Sequence, residues 1–349
     1  MLAHLPLAHD LLHWYDLNAR TFPWRFKAHQ TPDPYHVWLS EMMLQQTTTT
    51  TVIPYFQCFL EKWPTLQDLA ASDLDEVLHA WQGLGYYARA RNLHACARRV
   101  CEEYQGQFPQ EEEQLRTLPG IGPYTAAAIT AIAFRKNATP IDGNIIRVIS
   151  RLFGIETSYP QSLPEIQGYA EQLTPETRTD DFAQALMDLG STVCMPKNPK
   201  CSLCPWQQVC LAFKESKTEE LPRKLKKKPL PVRYGIVFWL ICADGRVTLN
   251  RRPEKGLLGG MIEFPSTPWR EEKWTLQEAL PYAPEPTTWA QLNPLVRHTF
   301  THFHLELTVL QGRSLTNATV ALWDYPSNFV NHALPTVMKK VARVVEAQH

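Results

Sequence analysis

Cys194, Cys201, Cys204 and Cys210 stand in the spacing C-x6-C-x2-C-x5-C, and this cluster constrains the chain more than any other feature. Four thiolates so close together form a soft, tetrahedral donor set that suits zinc or an iron–sulfur cluster. A disulfide scaffold is the wrong frame, because the chain has 349 residues and does not read as secreted. The other four cysteines, Cys58, Cys96, Cys101 and Cys242, are scattered and read as core or surface thiols. Between the first two clustered cysteines, Lys197 and Lys200 sit on a loop that can meet phosphates or simply be solvated. The spacing leaves the choice of metal open.

Length allows about two globular domains. No apolar run approaches the roughly 20 residues of a membrane span. The start, MLAHLPLAHD, has no Lys or Arg before its apolar stretch and reaches Asp10, unlike a signal peptide. A cytoplasmic protein is the expectation. The 35 basic and 35 acidic side chains argue, as a total, against a polyanion partner. Divided along the chain, the balance is uneven: 16 basic against 22 acidic in residues 1–213, 8 against 3 in 214–233, and 11 against 10 in 234–349. Zero is a sum of unlike parts, so any nucleic-acid affinity has to rest on local features.

Up to about Cys210 the apolar residues recur at helical spacing, as in Ile145, Val148, Ile149 and Leu152, and the pattern predicts an all-α region of ten or so helices. Residues 214–233, KESKTEELPRKLKKKPLPVR, lack a sustained apolar face and predict a partly extended basic linker. Strand-like runs follow at 234–242, 246–251, 260–264 and 297–312, then a helical end at 334–347. The second region is therefore a smaller α+β domain.

Three motifs carry chemistry. LPGIGPYTA at 118–126 has Gly120 and Gly122 for a tight turn and Pro123 at the start of a small-residue helix, whose free N–H groups can hold a phosphate. A packing turn is the bland alternative, and the neighbouring cysteine cluster favours backbone binding to DNA. In YHVWLSEMMLQQT at 35–47, Glu41 stands among apolar residues, with Gln45 one turn on. A lone glutamate there favours a solvated position; the sharper reading is a buried acid with a raised pKa, able to protonate a leaving group. Asp142 in PIDGN precedes a helix and suits an N-cap, or alternatively a carboxylate facing an oxocarbenium ion.

Taken together, these residues resemble the endonuclease III superfamily of helix–hairpin–helix, iron–sulfur DNA glycosylases, and more closely the MutY-type adenine DNA glycosylases. The resemblance covers nearly the whole chain through PWR at 23–25, SEMMLQQT at 40–47, GLGYYARARNL at 83–93, LPGIGPYTA, IDGN at 141–144, MDLG at 187–190, the four cysteines, GLLGGMIEFP at 256–265 and RHTFTHFHL at 297–305. It implies an all-α helix–hairpin–helix glycosylase domain over 1–213, with a six-helix barrel at about 26–136 and a cluster-bearing part formed by 1–25 and 137–213. A basic linker at 214–233 and a C-terminal α+β Nudix-like domain at 234–349 complete the chain.

The resemblance also assigns roles. The cysteines hold a [4Fe–4S] cluster whose part is to fix the Lys197/Lys200 loop. Glu41 is the general acid acting at adenine N7, and Asp142 stabilises the oxocarbenium ion or bonds to it transiently. Tyr124 and Asn144 orient these carboxylates. Arg25 and Gln184 contact the flipped adenine, Gln46 and Tyr86 intercalate beside the lesion, and Thr47 and Leu84 lie near it. Phe300, Thr301 and His302 form the loop that reads 8-oxoguanine.

Tyr124 occupies the position at which bifunctional relatives carry a nucleophilic lysine, which implies water as the final nucleophile and an abasic site as product. The implied partner is duplex DNA with adenine opposite 8-oxoguanine or G, met by a monomer without a membrane. Two rivals follow from the same residues: a related glycosylase for another base, and a non-catalytic metal-containing DNA-binding module.

Four departures stand out. A longer segment, FKAHQTPDPY, follows PWR; five threonines at 47–51 lie where a helix is expected to continue; Ala127-Ala128 replace a glycine frequent after the hairpin; and Thr301 stands where serine is frequent. No Arg-Glu-x-x-Glu-Glu helix follows Gly260, so the second domain is expected to read a base without hydrolysing nucleotides.

Overall fold

A computed structural model describes residues 5–26, 30–225, 229–253, 256–314 and 322–348. By Cα proximity the chain divides into two units, Met1–Ala71 with Asn92–Lys226, and Ser72–Arg91 with Lys227–His349. Among the described residues no helix is long and apolar enough to cross a membrane.

The first unit is helical. Its core is set by α9 (Gly143–Leu152), whose Ile145, Val148, Ile149 and Leu152 are all buried, as their spacing requires. They pack with Leu11 and Tyr15 of α1 (Leu5–Asn18), Ile166 and Ala170 of α10 (Leu163–Leu173), and Phe182, Leu186 and Leu189 of α11 (Thr179–Thr192). Each large aliphatic side chain so buried contributes roughly 1.5–3 kcal/mol. α12 (Leu211–Lys214) also packs on α9, and the unit further holds α3 (Thr49–Lys62), α4 (Leu66–Ala71) and α7 (Glu112–Leu115).

α2 (Pro34–Leu44) begins where Asp33 accepts the Tyr35 N–H at 2.8 Å and Pro34 takes the first turn. It packs on α8 (Pro123–Ile132), whose Ala127 and Ala128 are buried in place of the frequent glycine. The expected continuation through the threonine run does not occur. α2 stops at Leu44, Gln46 takes a left-handed backbone with φ 60°, and α3 starts afresh at Thr49 with Thr48 extended at its N-cap. Consecutive β-branched residues propagate a helix poorly and accept an extended cap readily, so the chain breaks there.

The stretch read as a linker is packed in its described first part. Leu221 is buried and its carbonyl accepts Arg151 Nε, Lys217 pairs with Glu156 at 2.5 Å, and Lys224 bridges to Tyr159. Residues 226–228 of that stretch, like 27–29 of the segment after PWR, lie outside the described residues.

The second unit holds a mixed sheet in the order β3-β2-β1-β5-β4, with β6 (Leu322–Asp324) paired to β2 (Val247–Arg251). The near-continuous apolar run in β1 (Val232–Ile241) is buried on both faces, as a central strand demands. It pairs parallel to β5 (His304–Arg313) and antiparallel to β2, which also carries β3 (Ile262–Glu263). One face packs Val237, Trp239 and Leu307 against Val337, Met338 and Val341 of α14 (Thr336–Glu346); the other places Ile236, Phe238 and Leu310 against Ala279 of the short α13 (Leu276–Ala279).

The run at 297–312 is two strands rather than one. β4 (Ala290–Thr299) precedes β5 and pairs antiparallel with it, and Phe300–Phe303 form the turn. β4 escaped notice because it is an edge strand, mostly exposed and irregular between Leu292 and Val296, so it lacks clean alternation. α5 (Leu74–Ala80) and the loop after it also belong to this unit: Asp75 pairs with Arg251 at 2.7 Å, and Gln82 donates to the His332 carbonyl and accepts from Lys339. α6 (Ala88–Tyr104) begins in this segment and ends in the helical unit.

Candidate active site

A cavity of about 880 Å³ opens in the helical unit, and its walls gather residues that lie far apart in sequence. Arg25, Glu41, Gln46, Thr47, Gly120, Gly122, Tyr124, Asp142, Asn144 and Gln184 all line it. The solvated position favoured for a lone glutamate is therefore overturned at Glu41, which is only 5 % exposed. α2 is apolar nearly all round and buries most of its residues, so a carboxyl on it is carried inward.

Burial pushes Glu41 up to about 7; the Tyr124 hydroxyl, donating to its Oε2 at 2.9 Å, opposes this, Asp142 adds to it, and Arg25 opposes it. The acid is thus substantially protonated at neutral pH. Burial also pushes the Tyr124 phenol up, with the Glu41 charge second. Tyr124 is then a fixed donor, not a proton source.

Asp142 takes the N-cap position and also lines the cavity. As the N-cap of α9, its Oδ1 accepts the N–H groups of Asn144 at 2.9 Å and Ile145 at 2.7 Å. Its Oδ2 accepts the Asn144 side-chain amide at 2.7 Å and lies at the cavity. Burial raises its pKa, while the Ile145 and Asn144 donors and Arg147 draw it down. The cap thereby fixes the carboxylate's direction.

The glycine hairpin frames the cavity mouth. Gly120 has φ +77°, and a Cβ there would sit 2.7 Å from Met42 Cε and 2.8 Å from Asn92 Cβ, so only glycine fits. Gly122 caps α8 with nothing within 4 Å of where a Cβ would stand, which leaves the helix N-terminus approachable. Gln46, exposed and left-handed, stands at the same rim.

The four clustered cysteines line a second, small pocket with Arg151. Arg151 donates to Cys194 Sγ at 3.3 Å and to the Met195 carbonyl at 2.7 Å. Burial pushes the Cys204 thiol up to about 12, with the Trp206 N–H drawing it down. Partly buried thiols with N–H and guanidinium donors turned toward them fit a thiolate-bound group, zinc or an iron–sulfur cluster. Lys197 and Lys200 are exposed on the intervening loop, where Asn198 donates its N–H to Glu219 at 2.9 Å.

Arg147, which the sequence reading passed over, ties this pocket to the cavity: its Nε donates to the Cys194 carbonyl at 2.6 Å and its Nη2 to Asn144 Oδ1 at 2.9 Å. Arg147 and Arg151 stand one turn apart just after IDGN, a legible signal had the helix been read for its polar side. Asp188 in MDLG was passed over too, although it receives both Arg20 and Arg25.

In the second unit, Thr301 and His302 are exposed at the tip of the β4–β5 turn, while Phe300 stacks on Trp269 at 5.6 Å and anchors it. Tyr86, half exposed with φ 49°, bonds through its hydroxyl to that of Thr301 at 2.8 Å. Leu84 is buried, so it supports this loop from within the core.

Comparison with known proteins matches residues 39–173 to the HhH-GPD superfamily of base excision DNA repair proteins, 194–210 to the iron–sulfur binding domain of endonuclease III, and 236–344 to the NUDIX domain. A solved thermostable thymine-DNA glycosylase is 31 % identical with a TM-score of 0.55, covering 60 % of this chain and 96 % of its own. A non-covalent endonuclease III–DNA complex shares the fold at 23 % identity and a TM-score of 0.51, covering 62 % of this chain and 99 % of its own.

A hairpin-bearing helical unit with an iron–sulfur site and a carboxylate-lined cavity defines a DNA glycosylase of the helix–hairpin–helix class. Human adenine DNA glycosylase is 37 % identical over 97 % of this chain and 74 % of its own length, and that of Buchnera aphidicola (subsp. Schizaphis graminum) is 39 % identical over 73 % of each. The chain belongs to the adenine DNA glycosylase family.

Proposed function

We propose that this chain is a monofunctional adenine DNA glycosylase of base excision repair, hydrolysing the N-glycosidic bond of adenine opposite 8-oxoguanine or G in duplex DNA. The observation that carries this reading is Glu41: a buried carboxyl, half-protonated at about pH 7, aimed by Tyr124 into a cavity that also holds Asp142. Base loss from a deoxynucleoside needs a proton on the leaving purine and a negative charge beside the sugar cation that forms, and these two carboxyls divide that work.

Glu41 donates its proton to N7 of the extruded adenine, and the C–N bond breaks toward the base. Asp142, ionised and held by Asn144 and the α9 N-terminus, stabilises the oxocarbenium ion. Asn144 is itself oriented by Arg147. Water then attacks the sugar carbon and gives up a proton to the Glu41 carboxylate, which restores the acid and leaves an abasic site. Arg25 and Gln184, on the cavity wall, contact the purine. The cluster's residues fold the loop that carries Lys197 and Lys200 toward phosphates, and the N–H groups after Gly120 and Gly122 hold the backbone.

Extrusion of a base costs a few kcal/mol. Gln46 and Tyr86 offset it as wedges, with Thr47 and Leu84 behind them, and their left-handed backbones turn both side chains outward. Thr301, with Phe300 and His302, reads 8-oxoguanine through its hydroxyl. The two working domains are the helical unit and the sheet-bearing unit, the latter including residues 72–91, and the stretch 214–233 connects them with its described first part packed on the helical unit. The enzyme acts as a monomer in the cytoplasm, at the nucleoid in a bacterium.

The test is a set of labelled duplexes with A opposite 8-oxoguanine, A opposite G, and thymine glycol, each treated with and without hot alkali. Breaks only after alkali and only in the A-containing strand are expected. Breaks without alkali would replace water by an amine nucleophile, and cutting at thymine glycol instead would move the chain to another base.

A further inference from the structure

Asp188 has no place in the reaction described above, yet it lies behind the cavity wall and holds two arginines that line it. It lies on α11 one turn beyond Gln184, and its side chain is wholly buried. Arg25 grips it with both terminal nitrogens, Nη1 to Oδ2 at 2.6 Å and Nη2 to Oδ1 at 2.8 Å. Arg20 adds its Nε to Oδ1 at 2.6 Å and its backbone N–H to Oδ2 at 3.0 Å. Arg25 Nη1 donates as well to the Arg20 carbonyl at 2.9 Å. One carboxylate thus holds two guanidinium groups on the wall shared with Glu41, and the Arg25 fork is turned toward α11.

The charges around Glu41 make this arrangement consequential. The groups that act on it are Tyr124 from α8, Asp142 from the head of α9, and Arg25 from the chain before α2; α3, the other helix against α2, buries only Val52, Phe56 and Phe59. Arg25 is the one cation among them. Tyr15 of α1 and Asp188 are the other ionisable groups that act on Arg25. A guanidinium released from Asp188 has Glu41 as its remaining carboxylate partner, and such a pair would hold Glu41 ionised and unable to give a proton.

We infer that Asp188 is a positioning residue for adenine release: its bidentate grip on Arg25 keeps that cation from pairing with Glu41 and leaves the acid its proton, while the free edge of the guanidinium faces the purine. The inference rests on the reading of Glu41 as the acid. It also gives the buried ion cluster a use beyond stability, which a buried pair supplies poorly.

The test is single-turnover release of adenine by the full-length chain from pH 5 to 9, with melting and lesion-DNA binding measured alongside. Wild type loses rate above about pH 7, where Glu41 ionises. Asp188→Asn, which keeps the shape and removes the charge, is expected to move that alkaline limb at least one pH unit down, so that the deficit at pH 8 exceeds the deficit at pH 5.5 tenfold or more. Adding Arg25→Met to Asp188→Asn is expected to return the limb to its wild-type position or above, although the plateau stays low because a purine contact is gone.

Arg25→Lys leaves Asp188 in place and cannot chelate both its oxygens, so it should move the limb in the same direction by less, and it serves if Asp188→Asn does not fold. A uniform loss of rate at every pH, with the limb unmoved in both Asp188→Asn and Arg25→Lys, overturns the inference. A wild-type profile without an alkaline limb, together with turnover by Glu41→Gln, overturns the acid assignment itself and is thereby told apart.

Discussion

The two places proposed to meet a base are built on opposite principles. The cavity of the helical unit holds polar groups taken out of water and paired with one another: Glu41 with Tyr124, Asp142 with Asn144 and the α9 N-terminus, Arg25 with Asp188. The turn at Phe300–Phe303 sets Thr301 and His302 in solvent and buries only the anchor, with Phe300 on Trp269. Bond cleavage requires a proton donor near neutrality and a carboxylate of fixed direction, and both come from desolvation and preorganised donors. Reading a base requires groups held at the surface, and Thr301 stands there with its hydroxyl on that of Tyr86. The same element, a turn or helix start, is therefore used in one unit to lock a side chain and in the other to offer one.

The largest expected effect falls on the locked side. Glu41→Gln keeps the shape and removes the proton, so lesion binding should persist while adenine release falls by roughly 10²–10⁴-fold; normal turnover would end the assignment. A pH series sharpens the point. Because the folded carboxyl ionises near 7, raised by burial, and works protonated, the rate should be high below that value and fall about tenfold per unit above it. Asp142 works ionised and its pKa is also raised, so an acid limb is expected on the other side of the profile.

Next in size is Arg147→Met. It cuts the bonds to the Cys194 carbonyl and to Asn144 together, and a supporting residue of this kind is worth roughly 10–100-fold in activity. Iron and sulfide content, read beside adenine release, separates the two bonds: a fall in both is expected.

On the offered side the effects shrink. Thr301→Val keeps the outline and removes one hydroxyl, which should lower the preference for A opposite 8-oxoguanine over A opposite G by about two- to tenfold, with A opposite G cut as before. Equal losses on both duplexes would make the turn a general DNA contact. Tyr86→Phe removes the partner of that hydroxyl and keeps the ring, so its change in preference should be smaller still.

Much of this was legible beforehand, for reasons that differ by region. The α9 face was readable because four aliphatic residues at helical spacing have one way to leave water, and the cluster site because four cysteines so close have few other uses. Gly120 was readable as a turn residue because two glycines precede Pro123 and a helix, although its close approach to Met42 and Asn92 was not. The break at Gln46 was not, since a run of threonines lowers helix propensity without saying where the chain turns. β4 was missed because an exposed edge strand carries little alternation, and Asp188 because a carboxylate in MDLG looks like any helical acid until its partners are known.

By itself, then, the sequence determined the two-part architecture, the metal-binding class of the cysteines and the residue types available for the chemistry, because these follow from local spacing and from the cost of exposing apolar surface. The tertiary structure alone decided which of those residues share a cavity and in what charge state. A lone carboxyl in a sequence is an ordinary surface acid with a low pKa until packing closes over it. Only the enclosure formed by α2, α8, α9 and α11, bringing Tyr124, Asp142 and Arg25 around Glu41, turns that side chain into one that holds a proton at neutral pH.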